Sequence, residues 1–191
     1  MKKLTKSIIQ KYCPWAMENI SNIQELLNEV FDLCDYKEDL FEYVCKDERV
    51  GTSPSALLNI AKAFRYCVHN EELFKYICEH KLAKSPYDIR YLALAFAYCD
   101  YHKERFEYIC KDKLAENGLQ AYNLAQAFAR CNYDKEKFDY ICKNKLVEDV
   151  WDAYSLADIF RIKEYSIEEF DNLYKDAKSI KKVVARLRSN K

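Results

Sequence analysis

Apolar positions along this chain fall in blocks, and the blocks repeat. Phe64, Phe96, Phe128 and Phe160 are 32 residues apart, and Phe74, Phe106, Phe138 and Phe170 keep the same step. Phe31 and Phe41 extend both series backward with one extra residue. Within each block two helical patterns alternate. In the first, helix A, Leu57, Ile60, Ala61, Phe64 and Cys67 mark one face of a 3.6-residue helix, as do Ile89, Leu92, Ala93, Phe96 and Cys99. In the second, helix B, Phe74, Ile77, Cys78 and Leu82 sit at i, i+3, i+4 and i+8, and Phe106, Ile109, Cys110, Leu114 and Phe138, Ile141, Cys142, Leu146 repeat that set. A fixed period between about 20 and 50 residues is the signature of a repeat architecture.

Polar punctuation keeps the same beat. Ser53, Ser85, Asn117 and Asp149 are helix-capping types one period apart, and Pro54 and Pro86 follow at the first helical position. Asp88, Gln120 and Asp152 stand three residues after their caps, in the manner of a capping box. Tyr36, Tyr101, Tyr133 and Tyr165 recur between helices A and B, with His69 in the remaining unit. The pattern therefore predicts an all-α fold, an α-solenoid in which about five 32-residue helical hairpins stack with a right-handed turn. It predicts an N-terminal cap helix within 1–19, the repeat array over 20–174 and a basic C-terminal cap helix over 175–191. Terminal elements of this kind cover the end faces of an open stack.

Composition narrows the picture. Half of the 191 residues are hydrophobic and the 31 basic side chains balance the 31 acidic ones, which excludes a disordered chain. Two glycines and three prolines are too few for a turn-rich β-fold or a phosphate-cradling loop. The longest apolar run, 91–99, falls well short of the ~18 residues that suggest a membrane span. The start, Met1-Lys2-Lys3-Leu4, resembles the basic part of a signal peptide, but Gln10 and Lys11 interrupt the apolar stretch.

Nine cysteines occupy two inward repeat slots: Cys34, Cys67, Cys99 and Cys131 on helix A, and Cys13, Cys45, Cys78, Cys110 and Cys142 on helix B. No Cys-x-x-Cys occurs, so no metal site is expected. The slots suggest buried free thiols and an intracellular, reducing compartment, cytoplasm or organelle interior. A disulfide within each hairpin is the alternative. His69, His80 and His102 lie in or near turns with no nucleophile or carboxylate arranged around them, and neither catalysis nor a cofactor is indicated.

Candidate contacts lie where otherwise similar units differ. On helix A these are Asn59, Lys62, Arg65 and Tyr66 in the second unit, and Tyr91 and Tyr98 in the third. Asn123, Gln126 and Arg130 follow in the fourth and Arg161 in the fifth, beside Ser155 and Asp158. Amide, guanidinium and phenol side chains can bond base edges or stack on bases, and they serve equally as adaptable protein contacts. A second candidate is the segment 175–191, with seven basic residues and one acid. Lys178, Lys181, Lys182, Arg186 and Arg188 would form its patch, while the other 174 residues carry a net charge of −6.

The strings Leu92-Ala93-Leu94-Ala95-Phe96-Ala97-Tyr98-Cys99 and Leu124-Ala125-Gln126-Ala127-Phe128-Ala129-Arg130-Cys131, followed by Tyr101 or Tyr133, resemble octotricopeptide and FAST-type (heptatricopeptide) repeats. The period here is shorter than theirs. That resemblance implies an RNA-binding α-solenoid of the kind that acts on organellar transcripts or ribosomal RNA. The expected function is accordingly non-catalytic binding of an extended ligand in a helix-A groove, single-stranded or ribosomal RNA first. The alternative is a protein–protein adaptor or scaffold, or a structural subunit of a larger complex.

Overall fold

The computed structural model describes residues 3–111, 115–143, 149–163, 165–174 and 182. Among them the fold is all-helical and repeat-like: α1 (Lys6–Tyr12), a 3-10 helix (Pro14–Asn19), α2 (Ile20–Leu33), α3 (Glu38–Lys46), α4 (Pro54–Tyr66) and α5 (Glu71–Cys78). There follow α6 (Pro86–Tyr98), α7 (Lys103–Lys111), α8 (Gly118–Arg130), α9 (Lys135–Lys143), α10 (Val150–Lys163) and α11 (Ile167–Tyr174). Even-numbered helices from α2 are the A helices and odd-numbered ones from α3 the B helices. No helix among the described residues is long and apolar enough to cross a membrane. Leu114, Leu146 and all of 175–191 except Lys182 lie outside the described residues.

Contacts divide the chain into two compact units, Met1–Ala97 with Asn117–Leu119, and Tyr98–Glu116 with Gln120–Lys191. The same construction appears inside each. The A-helix phenylalanine meets the B-helix phenylalanine ten residues on. Ring centres are 5.4 Å apart for Phe31–Phe41 and 5.5 Å for Phe64–Phe74 in the first unit. They are 4.9 Å apart for Phe128–Phe138 and 4.5 Å for Phe160–Phe170 in the second. All eight rings are buried, and such pairs add about 0.5–1.5 kcal/mol beyond the area they bury.

A B-helix tyrosine, two residues after its phenylalanine, then carries each hairpin onto the next. Tyr43 packs on Phe74 and Tyr76 on Phe96 in the first unit; Tyr108 packs on Phe128 and Tyr140 on Phe160 in the second. The Tyr108 and Tyr140 hydroxyls donate to the carboxylates of Asp139 and Asp171 on the following B helix.

The turn between helices A and B is built without glycine. Asp35 and Tyr36, Val68 and His69, Asp100 and Tyr101, and Asn132 and Tyr133 all have φ between 52° and 59°. In three of these turns the second residue's N–H donates to the carbonyl of the A-helix phenylalanine five residues back: Tyr36 to Phe31, His69 to Phe64 and Tyr133 to Phe128. The first residue's N–H donates to the carbonyl three back. This is the Schellman pattern, which satisfies carbonyls at a helix end. Its aromatic residue stands edge-on against the same phenylalanine, at 5.8, 5.3 and 5.5 Å. Tyr36, Tyr101 and Tyr133 of the in-phase series are therefore turn residues in the left-handed region, and Tyr36 and Tyr133 lean on the core ring.

Capping follows the sequence expectation. α4, α6, α8 and α10 begin directly after Ser53, Ser85, Asn117 and Asp149. Ser53, Ser85 and Asp149 accept from backbone N–H groups of their own first turns. Gly118 is the one glycine that close approach demands. A Cβ there would lie 2.4 Å from the Asp88 carbonyl oxygen, and its N–H donates to Asp88 Oδ1 at 2.8 Å. Arg49 performs a second locking role that the repeat pattern does not reveal. It reaches the carbonyls of Cys78 (2.9 Å) and Ala83 (2.6 Å) while paired with Asp47.

One expectation is refined and one is corrected. The segment 1–19 holds two helical elements, because Pro14, which lacks an N–H, ends α1 at Cys13 and a 3-10 helix takes over. Not all cysteines are free: Cys13 and Cys45 form a disulfide with Cα atoms 5.9 Å apart, joining equivalent slots of successive elements rather than two slots of one hairpin. The other seven are free thiols, six of them buried.

Val68 is a β-branched residue at φ 54°, and 59% of its surface is exposed. Left-handed backbone costs an L-residue about 1–2 kcal/mol and is tolerated best by Asn and Gly. Val68→Asn is expected to raise unfolding stability by about 1 kcal/mol, read as a higher urea midpoint at unchanged slope.

Candidate ligand-binding face

Helix A presents its variable side chains over an arc wider than a simple amphipathic pattern allows. Ala63, Ala95 and Ala127, directly before the core phenylalanines, are fully buried. The buried arc therefore reaches round toward the position five before each phenylalanine. Asn59 and Asn123 hold that position and are only 7% and 1% exposed; Gln126, at 9%, is buried too. These three, expected to project toward a ligand, instead lie inside.

In the first unit, Asn59 Nδ2 donates to the Ser55 carbonyl (2.9 Å) and its Oδ1 accepts from Arg90 Nη1 (3.1 Å). The amide thus links α4 to α6. Lys62 Nζ is 3.7 Å from Glu29 Oε1, linking α4 to α2. Tyr66 and Tyr91 are half-buried. Arg65 is exposed and, with Asp32, Asp35, Tyr36 and His69, lines a cleft of about 380 Å³ in which His69 Nδ1 is 2.8 Å from Asp35.

In the second unit, Arg130 lies with its guanidinium 4.1 Å from the ring centre of Tyr154, donates to the Tyr154 hydroxyl (2.6 Å) and pairs with Asp158 (3.1 Å). Arg161, although exposed, shares the same carboxylate at 3.1 Å. Two cations and one anion leave one net positive charge there. Tyr98 is 39% exposed and meets Tyr122 edge-on at 5.5 Å. Its carbonyl accepts from the Tyr133 hydroxyl (2.9 Å), and the Arg105 guanidinium covers the Tyr133 ring at 3.8 Å. Burial pushes the Tyr133 phenol up to about 12.

Of the C-terminal basic patch only Lys182 is described, in helical conformation and exposed; Lys178, Lys181, Arg186 and Arg188 lie outside the described residues.

A set of exposed apolar side chains lies outside the inward pattern of the repeat. Tyr87 (56%) and Leu119 (39%) in the first unit and Trp151 (57%) in the second occupy one register position, nine residues before the core phenylalanine. The 32-residue step itself marks them, as the apolar series 87, 119 and 151 outside the inward face.

Other chemistry is muted. Burial pushes the Cys34, Cys67, Cys78, Cys99 and Cys131 thiols up to about 12, which keeps them protonated and weakly nucleophilic at neutral pH. Among the described residues no three His, Cys, Asp or Glu side chains converge as a metal ion would require. No protein-family model, curated protein or solved structure matches the chain.

The two buried asparagines carry opposite predictions. Asn59→Ala should cost about 1–3 kcal/mol, because Arg90 loses an acceptor in a half-buried setting. The Asn123 Nδ2 has no acceptor among the described residues. Asn123→Leu should therefore be neutral or stabilising within about 1 kcal/mol. Thermal melts of the two variants, followed by circular dichroism, check both.

Proposed function

We infer that this chain is a non-catalytic binding protein that holds a polypeptide partner along its A-helix faces, in the manner of an adaptor or a structural subunit. The observation that carries the reading is the state of the face. In the first unit Lys62 is paired with Glu29 while Tyr87 stands exposed; in the second Arg130 and Arg161 share Asp158, leaving one net positive charge, while Tyr98 and Trp151 stand exposed. Binding to nucleic acid gains much of its affinity when unpaired Lys and Arg neutralise phosphates and so release the counterions condensed on them. Interfaces between proteins instead draw their energy from a few Tyr, Trp and Arg side chains ringed by near-neutral contacts. Tyr87, Tyr98 and Trp151 have that character.

Single-stranded RNA is the second reading. The octotricopeptide-like strings favour it, and so does Tyr98, whose exposed ring can stack on a base without any requirement for net charge.

A photo-cross-linking side chain placed at Tyr87 or Trp151 of the intact protein separates the two. The polypeptide reading expects adducts that survive ribonuclease, with capture of the same partner falling about tenfold or more in Tyr87→Ala and Trp151→Ala while melting curves stay unchanged. Ribonuclease-sensitive adducts, together with oligouridylate retention at low salt that Tyr98→Ala abolishes, would replace it with the RNA reading.

A further inference from the structure

We propose that the Cys13–Cys45 disulfide is a redox clasp: closed, it fastens the N-terminal cap to the first hairpin, and opened by a dithiol it lets that cap undock while the rest of the first unit stays folded.

The cap has little else to hold it. α1 is seven residues long, and helices this short do not persist in water without tertiary support. It buries Ile9 and Tyr12, the following Cys13 is fully buried, and the 3-10 helix adds only Ala16. Its polar tie to α3 runs along the surface: Lys11 Nζ reaches the Tyr12 hydroxyl at 2.8 Å, and Tyr12 bonds to Glu42. By contrast, the α2–α3 and α4–α5 hairpins each contain a pair of buried phenylalanines, an aromatic Schellman turn and buried leucine, isoleucine or valine. Segments with so few buried contacts open locally at far lower cost than the core.

The bond is also dispensable to the repeat itself. Cys78 and Cys110 fill the same helix-B slot as Cys45 with free, buried thiols. Only the step from the cap to the first hairpin is covalent.

Both cysteines are buried, Cys13 at 0% and Cys45 at 8% exposure, so the bond becomes open to attack when the cap loosens. A dithiol reductant attacks one sulfur, such as that of Cys45, through one thiolate, breaking the Cys13–Cys45 bond and releasing Cys13 as a thiolate that takes up a proton. The reductant's second thiol then attacks the mixed disulfide, freeing Cys45. Two electrons and two protons pass to the protein, and the reductant leaves as its own disulfide. Re-closure is the reverse, with a low-molecular-weight disulfide as oxidant. A chain with seven other free cysteines suits a reducing compartment, where the cap would rest open and an oxidising shift would close it.

The test uses the full chain. Alkylation of the air-oxidised protein in denaturant without reductant, followed by mass spectrometry, is expected to give seven adducts and a Cys13–Cys45 cross-linked peptide. Hydrogen exchange is then compared before and after dithiothreitol. Amides of α1 should exchange about tenfold to a hundredfold faster after reduction, with α4 and α5 changed by less than about twofold. Cys13→Ser should reproduce the reduced pattern without dithiothreitol, and Cys67→Ser should not. Nine adducts, equal protection of α1 in both redox states, or loss of protection across α4 and α5 as well would each overturn the proposal.

Discussion

Each hairpin for which the pair is described depends on one aromatic contact, the phenylalanine of helix A against the phenylalanine of helix B ten residues later. That contact requires the chain to reverse sharply, and four residues separate α2 from α3, α4 from α5 and α8 from α9. In those three hairpins reversal is achieved by two consecutive residues in the left-handed region, a conformation that most side chains resist. The cost is met by packing: the second residue of the turn leans on the same phenylalanine and bonds to its carbonyl. Core and turn therefore stabilise one another. The helix-B tyrosine that seats on the next phenylalanine extends the same ring into the neighbouring hairpin.

This economy shapes the candidate binding face. Because A helices are buried over a broad arc, polar residues near the edge of that arc are drawn into contacts between neighbouring A helices. Asn59 with Arg90, and Arg130 with Tyr154 and Asp158, are bonds between repeats before they are contacts for any ligand. What remains for recognition is carried by side chains further out, such as Arg65, Tyr87, Tyr98 and Trp151.

Much of the fold is legible in the sequence because the 32-residue step writes each structural role several times. The phenylalanine series, the helix starts directly after Ser53, Ser85, Asn117 and Asp149, and the burial of eight of the nine periodic cysteines are read from it correctly. The site is less legible, and the reason is geometric. A helical wheel with one buried face puts Asn59 and Asn123 on the outside, whereas a helix flanked on more than one side encloses them. The left-handed turn residues were equally hard to read, since glycine usually marks such positions and Asp35, Val68, Asp100 and Asn132 stand there instead. The Cys13–Cys45 bond escaped because periodic cysteines look alike in sequence, and only the structure distinguishes the pair that meets.

The interdependence of the two rings in a hairpin can be measured by a double-mutant cycle on Phe128→Leu and Phe138→Leu, followed by urea unfolding of the intact protein. If the pair is the contact on which the hairpin stands, the two changes should couple by about 1 kcal/mol or more. Additivity to within about 0.3 kcal/mol would contradict it, and would mean that each ring is held by its surroundings and not by its partner.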